Sequence, residues 1–589
     1  MYFSGLRRAG AVALLLFSAG VFTSCQKRVT ESPPRYAVLR FENLSGDPAL
    51  EWAGRGTSEF LSRSLSAALA GPVLNYAALG RLSPALGSRP GNAPGISTER
   101  SEALLAGATR LITGYVERSG GSIRIAAEEI DVRSSKSVRR LTASGSTVLG
   151  ALTQLSGEFS PAAQPYLTSS AEALRYYVNG FEESGDQAIG DLQRSLDADP
   201  DFGPAWSLLV NANLARGNRD AAEVLIGKAG HRRLDLFNQA NLEYSGAVLR
   251  SDQGDQLLAM RRISALSPGD TVLLRSTAEA DTRAGEFTYA AAEWNKLAAV
   301  LPDDAGAWNQ LGYTRAWGGD YAGALAALKE YARLRPGDPN PLDSAGDVHY
   351  LFRKYADAAA SYLEANARSP EFQSGGSLYK AAWAKFNAGD KTGADSAFIQ
   401  FKAAREKAKA TGIWLFEADW LYRTGRTKQA LALLERESSP DARLQLAIWY
   451  LIAGDRTAAA KEAAAAGPPT TGAAFLVRFA TLPSASAAEW QRRAERMFPA
   501  SATATVRMIA VGYALLLDQN EDDALPVWRK IIAEEPGTDF FSHAIYARLN
   551  GEKETLAILP DPNTVNEFAA VLDNLPTEAE PPAKALPPA

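Results

Sequence analysis

The sequence predicts an α-helical solenoid, a right-handed superhelix of stacked helix pairs, preceded by a small α+β domain. Three observations carry this reading. Prolines stand at 268, 302, 336 and 370, each 34 residues from the last. Ala290, Ala324 and Ala358 keep the same step, and so do Phe287, Tyr321 and Tyr355. Between about 36 and 150, by contrast, short apolar runs alternate with turn residues and helical spacing.

Each position of the 34-residue frame has a physical reason. A small Ala early in the second helix of a pair lets it lie close to the first. The aromatic just before it fills the gap between the two. The Pro ends the second helix and sets the turn to the next pair. One pair cannot bury its own apolar face, so neighbours must stack. The clearest copy begins near Ala305 and carries Trp308, Leu311, Gly312, Ala324 and Pro336. The next has Gly346, Ala358, Ala365 and Pro370, and a late one has Gly512, Ala524 and Pro536. This Trp, Leu, Gly, Ala, Pro pattern resembles the tetratricopeptide repeat (TPR), whose period is also 34. Looser copies extend the array over 170–550, about ten in all, with 467–500 degenerate.

Composition bounds the function. A chain of 589 residues with 46 % hydrophobic and 22 % charged residues is an ordinary folded protein of more than one core. The net charge of −5 offers no basic excess for a nucleic-acid backbone. One cysteine and three histidines, His231, His349 and His543, leave no Cys/His cluster for a metal and no disulfide. No cofactor is expected.

At the amino terminus, Arg7 and Arg8 precede an apolar run, Ala9 to Phe22, too short for a bilayer span. Cys25 follows it in the order Phe22-Thr23-Ser24-Cys25. Residues 1–25 resemble a bacterial lipoprotein signal, which implies a lipid on Cys25 and a membrane-tethered envelope protein. Residues 26–35 read as a linker.

In 36–150, Tyr36 to Phe41 reads as a buried strand and Trp52, Phe60, Leu61, Leu65 and Leu69 recur at helical spacing. Gly71-Pro72 stops that helix, and Val73 to Tyr76 reads as a second strand. Residues 80–97 read as a loop and 98–108 as a helix. Leu111–Val116, Ile123–Val132 and Val138–Thr142 then form a meander. Residues 37–65 (AVLRFENLSGDPALEWAGRGTSEFLSRSL) and 107–138 (GATRLITGYVERSGGSIRIAAEEIDVRSSKSV) resemble the TolB-type amino-terminal domain. The resemblance implies an envelope interaction module and no chemistry. From Asp561 to residue 589 the chain turns polar and Pro-rich, a disordered tail by composition.

The TPR resemblance implies that the first helix of each pair lines a groove. In that frame the groove-facing residues are Asn309, Tyr313 and Trp317; Asn340, Asp343, Asp347 and Tyr350; Tyr379, Trp383, Phe386 and Asn387; and Asp419, Tyr422 and Arg423. Exposed aromatics interleaved with Asn and Asp suit an extended peptide or a partner-protein segment. A glycan strand is the alternative ligand, since aromatic grooves also stack sugars. An enzyme with its site in 36–150 is a third class, disfavoured because that stretch has neither His nor Cys. AGDKTG at 388–393 reads as a turn between helices, GRG at 54–56 as part of a helix, and His349 as a packed side chain.

Overall fold

The computed structural model describes residues 34–66, 68–69, 71–74, 96–469, 472–500, 502–534 and 540–551. The signal segment with Cys25, most of the linker and of the 80–97 loop, and the Pro-rich tail lie outside the described residues. The chain divides into two compact units, one ending at Tyr166 and one starting at Leu167.

In the first unit, β1 (Tyr36–Val38), β2 (Glu42–Asn43), β3 (Val73–Leu74), β4 (Arg110–Ser119), β5 (Ser122–Asp131) and β6 (Lys136–Gly145) form one mixed sheet. Its order is β3-β1-β4-β5-β6, with β2 also against β4. β1 lies parallel to both β3 and β4, whereas β4, β5 and β6 form the antiparallel meander read from the sequence. Parallel neighbours need crossovers. Helix α1 (Glu51–Ser64) joins β2 to β3, and α2 (Ile96–Leu105) precedes β4.

The expected single strand Tyr36–Phe41 is broken in two. Leu39 still donates to the Ile112 carbonyl, but the Phe41 N–H turns to Gly54 on α1. A Cβ on Gly54 would collide with the Phe41 carbonyl oxygen. The first glycine of GRG therefore serves the close approach of α1 to the β1–β2 connection. Trp52, Phe60, Leu61 and Leu65 are buried as their spacing requires.

The unit continues past the expected boundary at 150. Helix α3 (Val148–Phe159), capped by the Thr147 side chain, buries Leu149, Leu152, Leu155 and Phe159. Its packing partners are β6 and α1. Tyr166 then stacks on Phe60, ring centroids 4.6 Å apart.

In the second unit, eleven consecutive helix pairs run from Ala171–Glu182 with Gly185–Ala198 to Ala504–Leu517 with Glu521–Glu534, followed by Phe540–Leu549. The stretch expected to be degenerate is itself a pair, Gly472–Ala480 with Ala487–Met497. The expected core positions are closed: Ala222, Ala290, Ala324, Ala358, Ala394, Ala430, Ala459 and Ala524 all have no exposed surface. Phe287 and Tyr321 reach the end of the following first helix, at Trp317 and Phe352, and Tyr355 reaches back to Tyr350 on the helix before it.

Turn chemistry repeats with the helices. Gly319, Gly389 and Gly454 take left-handed φ of 81–87°, and the next residue, Asp320, Asp390 or Asp455, caps the following helix. This confirms AGDKTG as an interhelical turn. At two joints the indole N–H of the next first helix donates to the carbonyl of the closing Pro: Trp206 to Pro200 at 2.8 Å and Trp308 to Pro302 at 3.0 Å.

Candidate partner-binding site

The fourteen groove candidates fall on the first helices Ala305–Trp317, Asn340–Leu351, Gly376–Asn387 and Ile413–Arg423. The structure brings them together by repeat-to-repeat contacts, and it places many of them inside.

The centre is a polar cluster between three successive first helices. The Lys380 ammonium lies 2.6 Å from Asp343 Oδ2 and 2.9 Å from Asp347 Oδ1. Tyr313 donates to Asp347 Oδ2 at 2.7 Å and Tyr362 to Asp347 Oδ1 at 2.8 Å. Ser377 donates to Asp343 Oδ1 at 2.7 Å. Tyr313 with Asp347 and Asp343 with Ser377 are each 34 residues apart. They are one helix position paired between consecutive repeats.

Burial sets the electrostatics here. Desolvation pushes the Asp343 carboxyl above its usual range, against the opposing pull of Lys380. Burial alone would lower Lys380, but Asp347 and Asp343 more than reverse it and hold the ammonium above its ordinary value. Tyr313 and Tyr362 are raised well above the usual phenol range, by burial and then by Asp347. These phenols stay protonated and donate.

A second cluster is aromatic. Tyr379 packs among Trp383, Phe398, Phe401 and Phe416. Its hydroxyl donates to Asp419 at 3.2 Å. Arg423 lies 3.6 Å from Asp419 and over the Trp383 ring at 4.4 Å. Tyr422 stacks on Trp449 at 4.2 Å.

The expectation of a run of exposed aromatics is therefore corrected. Tyr379 is 2 % exposed, Trp383 4 % and Tyr350 5 %. Asp343 and Asp419 are also buried. Large residues on successive first helices meet each other across the repeat interface instead of facing solvent. Asn309, Tyr313, Trp317, Asn340, Asp347, Phe386, Tyr422 and Arg423 are half-buried, and Asn387 is exposed while donating to the Tyr350 hydroxyl at 2.8 Å.

Sequence reasoning missed Lys380, Ser377 and Tyr362. A lysine in an otherwise apolar helix turn, Leu378-Tyr379-Lys380-Ala381-Ala382, was the available signal. Of the three histidines, His349 accepts or donates at Nδ1 to Tyr321 at 2.8 Å, and His231 is exposed after the Arg219–Ala229 helix. Among the described residues no cluster of His, Cys, Asp and Glu could hold a metal ion, and no helix is long and apolar enough to cross a membrane.

Over 191 residues the chain is 29 % identical to a TPR repeat-containing protein of Pseudomonas aeruginosa, a stretch covering 31 % of this chain and 32 % of that protein. The chain thus spans about a third of that relative's length. Among solved structures, MamA aligns at 16 % identity over 30 % of this chain and 96 % of its own, with a TM-score of 0.25. Pseudomonas aeruginosa pilF aligns at 20 % identity over 34 % and 90 %, with a TM-score of 0.22. No family model matches the chain. The 34-residue frame, the closed Ala positions and the stacked helix pairs together make the second unit a TPR-like solenoid.

Proposed function

We propose that the protein is a non-catalytic interaction scaffold, tethered at a bacterial envelope through a lipid on Cys25, that binds a partner protein or extended peptide along its first helices between 305 and 423. TPR-type proteins generally mediate protein–protein contacts, which is the coarse part of this reading. The observation that carries the finer part is Asn309. Its Oδ1 is a buried acceptor with no hydrogen-bond partner among the described residues. Such an atom asks for a donor, and a peptide backbone N–H supplies one. Beside it, Tyr313 and Trp317 stack at 5.5 Å and keep part of their surface open. Asn340, Phe386 and Asn387 continue the partly open line.

The first unit is read as a TolB-like interaction module between anchor and solenoid. Its mixed sheet, with partly buried ion pairs such as Arg139 to Glu129 at 2.7 Å, supports a structural role.

The test replaces Asn309, Trp317, Asn340 and Asn387 by Ala and repeats affinity capture from envelope extract. Loss of the captured partners is expected, with the urea midpoint of the variant kept near wild type. Unchanged partners would remove the groove. Binding to a glycan array but not to a peptide array would favour the carbohydrate reading. Mass spectrometry of the purified amino terminus tests the anchor, since an unmodified Cys25 contradicts it.

A further inference from the structure

Away from the 305–423 helices, the stack opens between the second and third pairs. The second helix of the second pair, Arg219–Ala229, has 11 residues, whereas those of the next four pairs have 14 each. Three missing residues remove about 4.5 Å of helix. Its buried residues are only Ala222 and Ala229. The following first helix, Leu236–Arg250, faces this space with Gly246, which brings no side chain to fill it.

A cavity of about 610 Å³ results, within the range that binds ligands. Its apolar bed is Ile226, Leu234, Leu242, Leu258 and Ala259. Leu258 is 61 % exposed there, the opposite of what a closed repeat joint gives such a residue.

The rim carries Arg232, Arg250 and Arg262 against two acids. Both acids are occupied. Glu243 takes Arg262 with both oxygens at 2.8 Å, and Asp255 takes Arg250 at 2.9 Å. Arg232 is exposed and has no ion-pair partner among the described residues. Lys228 precedes it by four residues, whereas the neighbouring Arg233 lies 3.6 Å from Asp201. The last carbonyls of Arg219–Ala229 lie at the same end, where cations are favoured. Two charge pairs cancel, and a basic excess remains beside an apolar floor.

We propose that this cavity is a docking site for an acidic peptide carrying a bulky apolar side chain. The Leu or Phe side chain covers Leu258 and Leu242, and a flanking Asp or Glu pairs with Arg232. The site is separate from the groove of the preceding section and stands or falls without it.

Fluorescence anisotropy of the full chain with fluorescein-labelled Glu-Asp-Leu-Glu-Phe-Asp-Glu tests it. Saturable binding that weakens with salt is expected, with the Lys-for-acid counterpart binding far less. Arg232→Glu and Leu258→Glu, both at exposed positions, should each weaken binding roughly tenfold or more at unchanged urea midpoint. The Asn309, Trp317, Asn340 and Asn387 alanine variant should bind the peptide as wild type does. Absence of binding, wild-type affinity in both Glu variants, or preference for the basic peptide would overturn the proposal. Self-association abolished by Leu258→Glu, without peptide binding, would also overturn it and assign the cavity to a second copy of the chain.

Discussion

The Lys380 ammonium and the Asp343 carboxylate meet at 2.6 Å with both side chains 3 % exposed, so the array carries an ion pair between repeats inside its packing. Removing one member of a buried pair strands the other charge. Lys380→Met is therefore expected to destabilise the solenoid by about 3–5 kcal/mol. Adding Asp343→Asn and Asp347→Asn should return a large part of that loss. Urea unfolding of the single and triple variants checks this, and a single variant within error of wild type would show that the cluster is not coupled to folding.

Tyr379 and Trp383 should behave as core residues, not as contact residues. Trp383 touches Phe386, Trp420 and the Arg423 guanidinium. Trp383→Ala is expected to cost about 3–5 kcal/mol, as other large-to-Ala core changes do. Loss of binding without a shift of the unfolding midpoint would contradict the buried placement and restore Trp383 to the groove.

These two sites also mark where the sequence ceased to be legible. The 34-residue frame located the helices, the closed Ala positions and the Asp-capped turns, because those are local chemistry repeated at a fixed step. Groove exposure was not local. Whether Tyr379 faces solvent depends on Phe398, Phe401 and Phe416, which lie on other helices. Lys380 was invisible for the same reason: its partners are 33 and 37 residues away. The pair in 472–497 escaped because its copies lost the frame residues while keeping helical periodicity. Helix α3 had a readable signal, Thr147 followed by Leu149, Leu152, Leu155 and Phe159, but it fell past the expected domain end.

Gly346 is a direct measure of how tightly a pair closes. A Cβ there would lie 2.5 Å from the Tyr362 ring. Tyr362 is fully buried and tied to Asp347, so its ring has little room to yield. Gly346→Ala gains helix propensity but overpacks the joint, and a net loss of about 1–3 kcal/mol is expected. Gly190→Ala, where an added Cβ meets nothing, serves as the control and should stabilise by about 0.4–1 kcal/mol. Chemical denaturation of the two variants side by side reads the difference, and equal midpoints would mean that the Tyr362 contact is soft.

His349 should give the solenoid an acid-sensitive step. Its imidazole is half-buried and hydrogen-bonded to Tyr321 at 2.8 Å. Burial lowers its pKa; Asp357 opposes this and Lys354 adds to it. The folded value thus lies below the unfolded one of about 6.5. A group depressed in this way favours the fold above the unfolded pKa, and that contribution is lost as pH falls through the folded value. In the tautomer whose Nδ1 accepts from Tyr321, protonation also makes Nδ1 a donor and turns the Tyr321 hydroxyl around. The wild-type urea midpoint is expected to fall between about pH 7.5 and pH 5, and His349→Gln should flatten that slope. An identical slope in the variant would place the acid sensitivity outside His349.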